Sequence, residues 1–185
     1  MTQQGAVRVE LMDGPAAAHA EDSFRRVYAE AFAEPPYQEG PDDVAEAFRR
    51  FRSQARKGTF RAALAVRSED GEPVGMAYGF ALGPDTRWWD QLTEPVPEER
   101  RREDGRRTFG LMELAVCPAW RGQGVARCLH ATLLDGIGAE RVLLNVHPGS
   151  AAASAAYRAW GYRKVGEARP WRGADLHDVM LLELR

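Results

Sequence analysis

Six consecutive residues, Arg121-Gly122-Gln123-Gly124-Val125-Ala126, join a strand-like segment to a helical pattern. Glycine costs a helix stability, so two glycines at a helix start need a reason. A helix N-terminus leaves backbone N–H groups without partners and carries a partial positive charge. Glycines let backbone approach an anion closely, and the combination makes a phosphate cradle. From the residues alone, a tight strand-to-helix turn with no ligand is an equal reading. A nucleotide P-loop needs Gly-Lys-Ser/Thr, which this turn lacks, and a dinucleotide fingerprint needs a third glycine where Arg127 stands. The second feature lies just upstream. Glu113 is the only charge in the apolar run Thr108 to Val116, where a carboxylate is costly unless it faces a cleft or a partner. It is either a base in a cleft, or a carboxylate on a wet sheet face or beside an arginine. Simple alternation puts Glu113 with Phe109 and Leu111, opposite Met112, Leu114 and Val116.

The elements that would position these residues follow from periodicity. Val7 to Met12 reads as a strand. Phe24, Val27, Tyr28, Ala31 and Phe32 predict a helix over Ala16 to Ala33, stopped by the prolines of Glu34 to Tyr37. Pro41 opens a second helix, with Val44, Ala45, Phe48 and Phe51 on one face, ending at Gly58. Phe60 to Val66 is a strand with one wetter face, carrying Arg61 and Arg67, and Val74 to Leu82 returns as its hairpin partner. A long connection holds Trp88 and Trp89 and the mixed charges Glu98 to Arg107, read as a solvated loop. Then come the strand Thr108 to Val116, the glycine turn, and a helix to about Leu134. A buried-type strand (Arg141 to Val146), an Ala-rich helix (Ser150 to Trp160) closed by Gly161, and two last strands complete the chain. The order is β-αα-βββ-α-β-α-ββ: an α/β (α+β mixed) fold of about seven strands and about four helices, in a single domain over residues 1–185.

Net charge is −2 over 185 residues, without the basic excess of a nucleic-acid footprint. Cys117 and Cys128, without zinc spacing, read as two free thiols in a reducing cytosol. The N-terminal stretch has no apolar h-region and no run reaches membrane-span length. The expectation is a soluble cytoplasmic protein with no nucleic-acid, membrane or metal partner.

The segment Glu113 to His130 resembles the signature of the GNAT superfamily of N-acetyltransferases. In that family an Arg/Gln-x-x-Gly-x-Gly/Ala turn holds the pyrophosphate of acetyl-CoA, matched here by Arg121, Gly124 and Ala126, with Gly122 and Gln123 between. Downstream, Ser150 to Tyr162 is similar to the family's Asn-x-x-Ala-x-x-x-Tyr-x-x-x-Gly-Phe segment, through Ala153, Tyr157, Gly161 and Tyr162, with Ser150 where Asn is usual. The resemblance is specific from about residue 60 to 166. It implies an acetyl-CoA-dependent transfer of acetyl from the thioester to a primary amine, by direct attack in a ternary complex. Glu113 would be the base and Tyr157 the acid that points at the cofactor sulfur. Leu114, Ala115, Val116, Arg121 to Ala126, Ser150 and Tyr157 would line the cofactor, with a backbone N–H of Leu114 or Ala115 facing the thioester oxygen. Tyr37, Trp88 and Trp89 are candidates for the acceptor side, a small-molecule or peptide amine, and family habit leaves a homodimer open. The competing function is a non-enzymatic acyl-CoA-binding or regulatory domain of the same fold.

Overall fold

Strand β1 (Val7–Asp13) ends on the residue that starts the first helix. Asp13 Oδ1 accepts the Ala16 N–H at 2.9 Å and caps α1 (Gly14–His19), a contribution of about 1 kcal/mol. The structure, a computed structural model, describes residues 5–185; the first four residues of the stretch read for a leader lie outside them. Helix α2 (Glu21–Ala31) follows at once. The predicted single helix from Ala16 to Ala33 is therefore two, because Ala20 turns out of the helical region at φ −92° and ψ 16°. The break re-aims the chain so that Phe24, Val27, Tyr28 and Ala31 of α2 are all buried. Helix α3 (Pro41–Gln54) stops four residues before the predicted end at Gly58. Its start is held by Asp43, whose Oδ2 accepts the Gly40 N–H at 2.9 Å, one half of a capping box.

The chain divides into two compact units. The first runs through Phe80 and resumes with Glu113–Ile137. It holds α1 to α3, β1, β2 (Arg61–Arg67), nearly all of β3 (Pro73–Ala81), the end of β4 (Thr108–Val116) and α5 (Val125–Leu134). β1 pairs antiparallel with β2 from Val7↔Arg67 to Asp13↔Arg61, and β2 pairs antiparallel with β3 from Arg61↔Gly79, with a register shift at Ala65/Val66. The wetter face expected for β2 is not there: Ala62 to Val66 are all buried, because α1 and α5 both pack on it. Phe51 centres the core, with ring centroids 5.3 Å from Phe24, 5.2 Å from Phe48 and 5.1 Å from Tyr78. Helix α5 lies close on β3. A Cβ on Gly75 would sit 2.9 Å from Leu129 Cδ1 and 3.2 Å from Val125 Cγ1, so only glycine permits that approach.

The second unit is Ala81–Met112 with Gly138–Arg185. It holds α4 (Glu98–Arg101), the start of β4, β5 (Arg141–Val146), α6 (Ala151–Ala159), β6 (Arg163–Ala168) and β7 (His177–Glu183). β5 pairs antiparallel with β7 from Arg141↔Glu183 to Val146↔Asp178, β7 pairs with β6, and β4 runs parallel to β5 over Thr108↔Arg141 to Gly110↔Leu143. The mixed sheet has seven strands in the order β1-β2-β3-β4-β5-β7-β6.

The charged run Glu98 to Arg107 is not the solvated loop that its composition suggests. It opens with one helical turn, and Glu103 is buried. Glu103 Oε1 accepts Trp89 Nε1–H at 2.9 Å, Thr108 Oγ1–H at 2.8 Å and Arg141 Nη2–H at 3.0 Å. The Arg141 guanidinium also lies 5.1 Å from the Trp89 ring centroid. Burying the pair is tolerable because each charge meets its opposite and several donors converge on one oxygen. The added turn α4 and the divided first helix raise the α-helix number from the predicted four or so to six among the described residues.

Candidate active site

Within the first unit, groups from four elements bear electrostatically on Glu113 of β4. Helix α2 brings Tyr28, the α2–α3 loop brings Glu39, α3 brings Arg50, and β3 brings Tyr78. The loop is pinned by backbone bonds: Tyr37 N–H and Gln38 N–H donate to Glu34 O at 3.1 and 3.0 Å, and Glu39 N–H donates to Phe32 O at 2.8 Å. Its aromatic wall is Tyr28, Phe32 and Tyr37, with centroids 4.4 Å apart for the first pair and 4.8 Å, edge-on, for the second.

The electrostatics of this group are dominated by desolvation. Glu113 retains intermediate exposure as a residue, yet the protein packed around its carboxyl, and next the charge of Glu39, push its pKa up to about 8 against the opposing pull of Arg50. Burial likewise raises Glu39, opposed by a hydrogen bond from Tyr28. Burial first and Glu113 second raise the phenols of Tyr28 and Tyr78, so both stay protonated donors. A carboxyl poised near neutral pH can take a proton from an ammonium and return it.

The glycine turn stands open. Gly122 and Gly124 have φ of 73° and 83°, the left-handed region, and no atom lies within 4 Å of where their Cβ atoms would be. Gly124 is the N-cap of α5 and has no side-chain cap, so no capping side chain takes up the first N–H groups of the helix. Gln123 Nε2–H donates to Ala119 O at 3.1 Å. The Arg121 guanidinium turns away from the turn, with donors at 3.0 Å from Val116 O and 2.8 Å from Glu34 Oε2. The Arg121 N–H is itself taken by Pro118 O at 3.3 Å. Upstream on β4, Leu114 is half-buried and Ala115 and Val116 are buried.

The remaining expected site residues lie in the second unit. Tyr157 on α6 is buried, its ring 5.7 Å from Trp160 and 5.4 Å from Tyr162. Ser150 precedes α6 without a side-chain cap, and its N–H donates to His147 O at 2.9 Å. Trp88 packs under Gly110, and Trp89 is committed to Glu103 through its indole N–H. The pattern missed Glu39, Tyr28 and Tyr78. Tyr28 was legible only as part of an apolar helix face, and Glu39 only as a residue before Gly40-Pro41. Cys117 and Cys128 are free thiols; burial pushes Cys117 up to about 12, which leaves it unreactive.

A model of the acetyltransferase (GNAT) family matches residues 22–162, a span that takes in Glu113, the glycine turn and Tyr157. The chain belongs to this family. The structure of PH1933 from Pyrococcus horikoshii is similar at a TM-score of 0.66, with 19% identity, over 97% of this chain and 99% of that one. Nourseothricin acetyltransferase is similar at a TM-score of 0.52, with 21% identity, over 69% of this chain and 66% of that one. An uncharacterised protein of Mycobacterium leprae is 39% identical over 67 residues, which are 35% of this chain and 19% of that protein. This chain thus spans only part of the first relatives it matches.

Acetyl-CoA is the cofactor of the GNAT family. The turn suits its pyrophosphate on physical grounds: uncapped N–H groups at a helix N-terminus, two left-handed glycines and no Cβ in the way. No helix among the described residues is long and apolar enough to cross a membrane.

Proposed function

We propose that this protein transfers acetyl from acetyl-CoA to a primary amine, small molecule or peptide, by direct attack in a ternary complex. The observation that carries the reading is Glu113, the one charge in β4, within the span that the GNAT family model matches. Acetyl-CoA supplies an activated acyl group; the chain must supply proton traffic and orientation. Glu113 takes a proton from the ammonium, because only the free amine has a lone pair for attack on the carbonyl carbon. Backbone N–H groups at Leu114 or Ala115 offer donors where the carbonyl oxygen gains charge. As the carbon–sulfur bond breaks, the Tyr157 hydroxyl gives a proton to the departing thiolate, a transfer between groups of comparable ordinary pKa. The backbone N–H groups of Gly122 to Ala126 hold the pyrophosphate. The relative named for nourseothricin supports a small-molecule acceptor for this fold.

The test is thiol release from acetyl-CoA against a panel of amines. Amine-dependent release, lowered by about 10²-fold or more in Glu113→Gln and slowed in Tyr157→Phe with cofactor affinity kept, is the expected result. No release with any amine, together with no thermal shift from acetyl-CoA, would sink the reading.

A further inference from the structure

In the second unit, four residues are joined by contacts that the chemistry above does not use. They are His147, just past β5, Trp171 and Asp175 on the connection between β6 and β7, and His177 at the start of β7. The two imidazole rings meet edge-on with centroids 5.3 Å apart, and the Trp171 ring lies 5.6 Å from His177. Their hydrogen bonds settle where each ring carries its proton. Gly149 N–H donates to His147 Nδ1 at 2.9 Å, so His147 Nε2 holds the proton and donates to Asp175 Oδ2 at 3.0 Å. His177 Nδ1 meets the Asp175 carbonyl oxygen at 2.8 Å; a carbonyl only accepts, so Nδ1 holds that proton. The neutral His177 ring keeps a lone pair at Nε2. That nitrogen has no hydrogen-bond partner among the described residues, and it is not one of the atoms sealed from water. The connection is pinned. Ala174 N–H donates to Trp171 O at 3.1 Å across a turn with Gly173 at φ 82°, and Gln91 Nε2–H donates to Pro170 O at 3.0 Å. On it, Trp171 is 62% exposed and the Asp175 side chain 78% exposed.

We propose that Trp171, Asp175 and His177 form a binding site for the ammonium group of a small amine. An aromatic face and a carboxylate both attract positive charge, and an ammonium N–H donates to an imidazole lone pair. The three features are tied together through Asp175, which holds His177 by its carbonyl oxygen and His147 by its carboxylate. Both nitrogens of His147 are engaged, so the pair offers a single imidazole nitrogen, too few for a transition-metal site. The arginines of the same connection do not take the place of the ligand. Arg169 Nη1 is turned to Ala174 O at 2.8 Å, and Arg172 is exposed, where water and salt screen it. The site goes beyond the transfer reading and does not rest on it.

The experiment is an NMR titration of the whole protein with butylammonium chloride at about pH 8, where an alkylammonium keeps its charge. The indole of Trp171 and the ring nitrogens of His177 should both shift and saturate, with Nε2 moving further than Nδ1. Tetramethylammonium, which has no N–H, should shift Trp171 and leave His177 Nε2 in place. Butanol and sodium chloride should shift neither. Trp171→Ala and Asp175→Asn should each weaken butylammonium about threefold. Trp171→Ala alters an exposed ring, and it decides the matter if Asp175→Asn, which loosens the His147 contact, is poorly folded. No saturation, an equal response to butanol, or unchanged affinity in Trp171→Ala overturns the proposal. Binding is read directly, so a protein that transfers acetyl to no amine would leave the site standing.

Discussion

Arg121 reaches back across the chain to Glu34, its Nη1 2.8 Å from Glu34 Oε2, and so ties the start of the glycine turn to the end of α2. The ion pair is about half exposed on both sides and stabilises little by itself. The hydrogen bonds to Val116 O and Ala31 O, at 3.0 and 3.4 Å, are the better part of the contact. An arginine at this place in the motif invites a phosphate contact; its observed partners are those of a strut. Arg121→Ala should therefore lose about 1 kcal/mol of stability and weaken coenzyme A binding only a few-fold. Denaturant unfolding and calorimetric titration check it. A large loss of affinity at unchanged stability would return the guanidinium to the phosphate.

Glu113 makes stability depend on pH with a definite sign. Its pKa is raised from 4.5 to about 8 in the folded chain, so folding binds its proton more tightly. The resulting stabilisation is full below about 4.5 and is lost as pH rises through about 8. Glu113→Gln cannot ionise. The variant should equal the parent in acid and exceed it above pH 8, by on the order of 5 kcal/mol. Melting temperatures across that window measure the difference, and parallel curves would mean that Glu113 is an ordinary carboxylate.

The left-handed turn gives a third expectation. Gly124→Ala places a Cβ where φ is 83°, at a cost of about 1 kcal/mol, and disturbs the N–H groups that open α5. Coenzyme A affinity should fall about tenfold, the equivalent of ~1.4 kcal/mol. Gly138→Ala is the control: it has open space and no positive φ, and should be neutral or slightly stabilising.

Glu103 and Arg141 supply the fourth. Their side chains are 1% and 5% exposed. Glu103→Gln keeps an acceptor for Trp89 but leaves the Arg141 guanidinium buried without its counter-charge. The expected loss is about 3 kcal/mol or more, read by urea unfolding. A change below 1 kcal/mol would mean that water reaches the pair.

What the sequence revealed follows what is local. The strand Thr108 to Val116, the turn after it and the helix to Leu134 are written in consecutive residues, and all three form as read. Glu103 was misread because a carboxylate among arginines looks solvated. Its burial depends on Trp89, Thr108 and Arg141, which no short window shows together. Glu39 was missed for the same reason: its neighbours Tyr28, Tyr78 and Glu113 come from three other elements. The break at Ala20 was hidden because alanine fits a helix and a turn alike.

Gly75 lies beneath the start of α5, the helix that follows the glycine turn. Any larger residue there would lift Val125 and Leu129 from β3 and tilt the helix whose first N–H groups form the turn. A genetic screen for lost coenzyme A binding would therefore recover changes at residue 75. Their suppressors would be smaller side chains at Val125 or Leu129, a pattern that separates a lowered seat from a broken cradle.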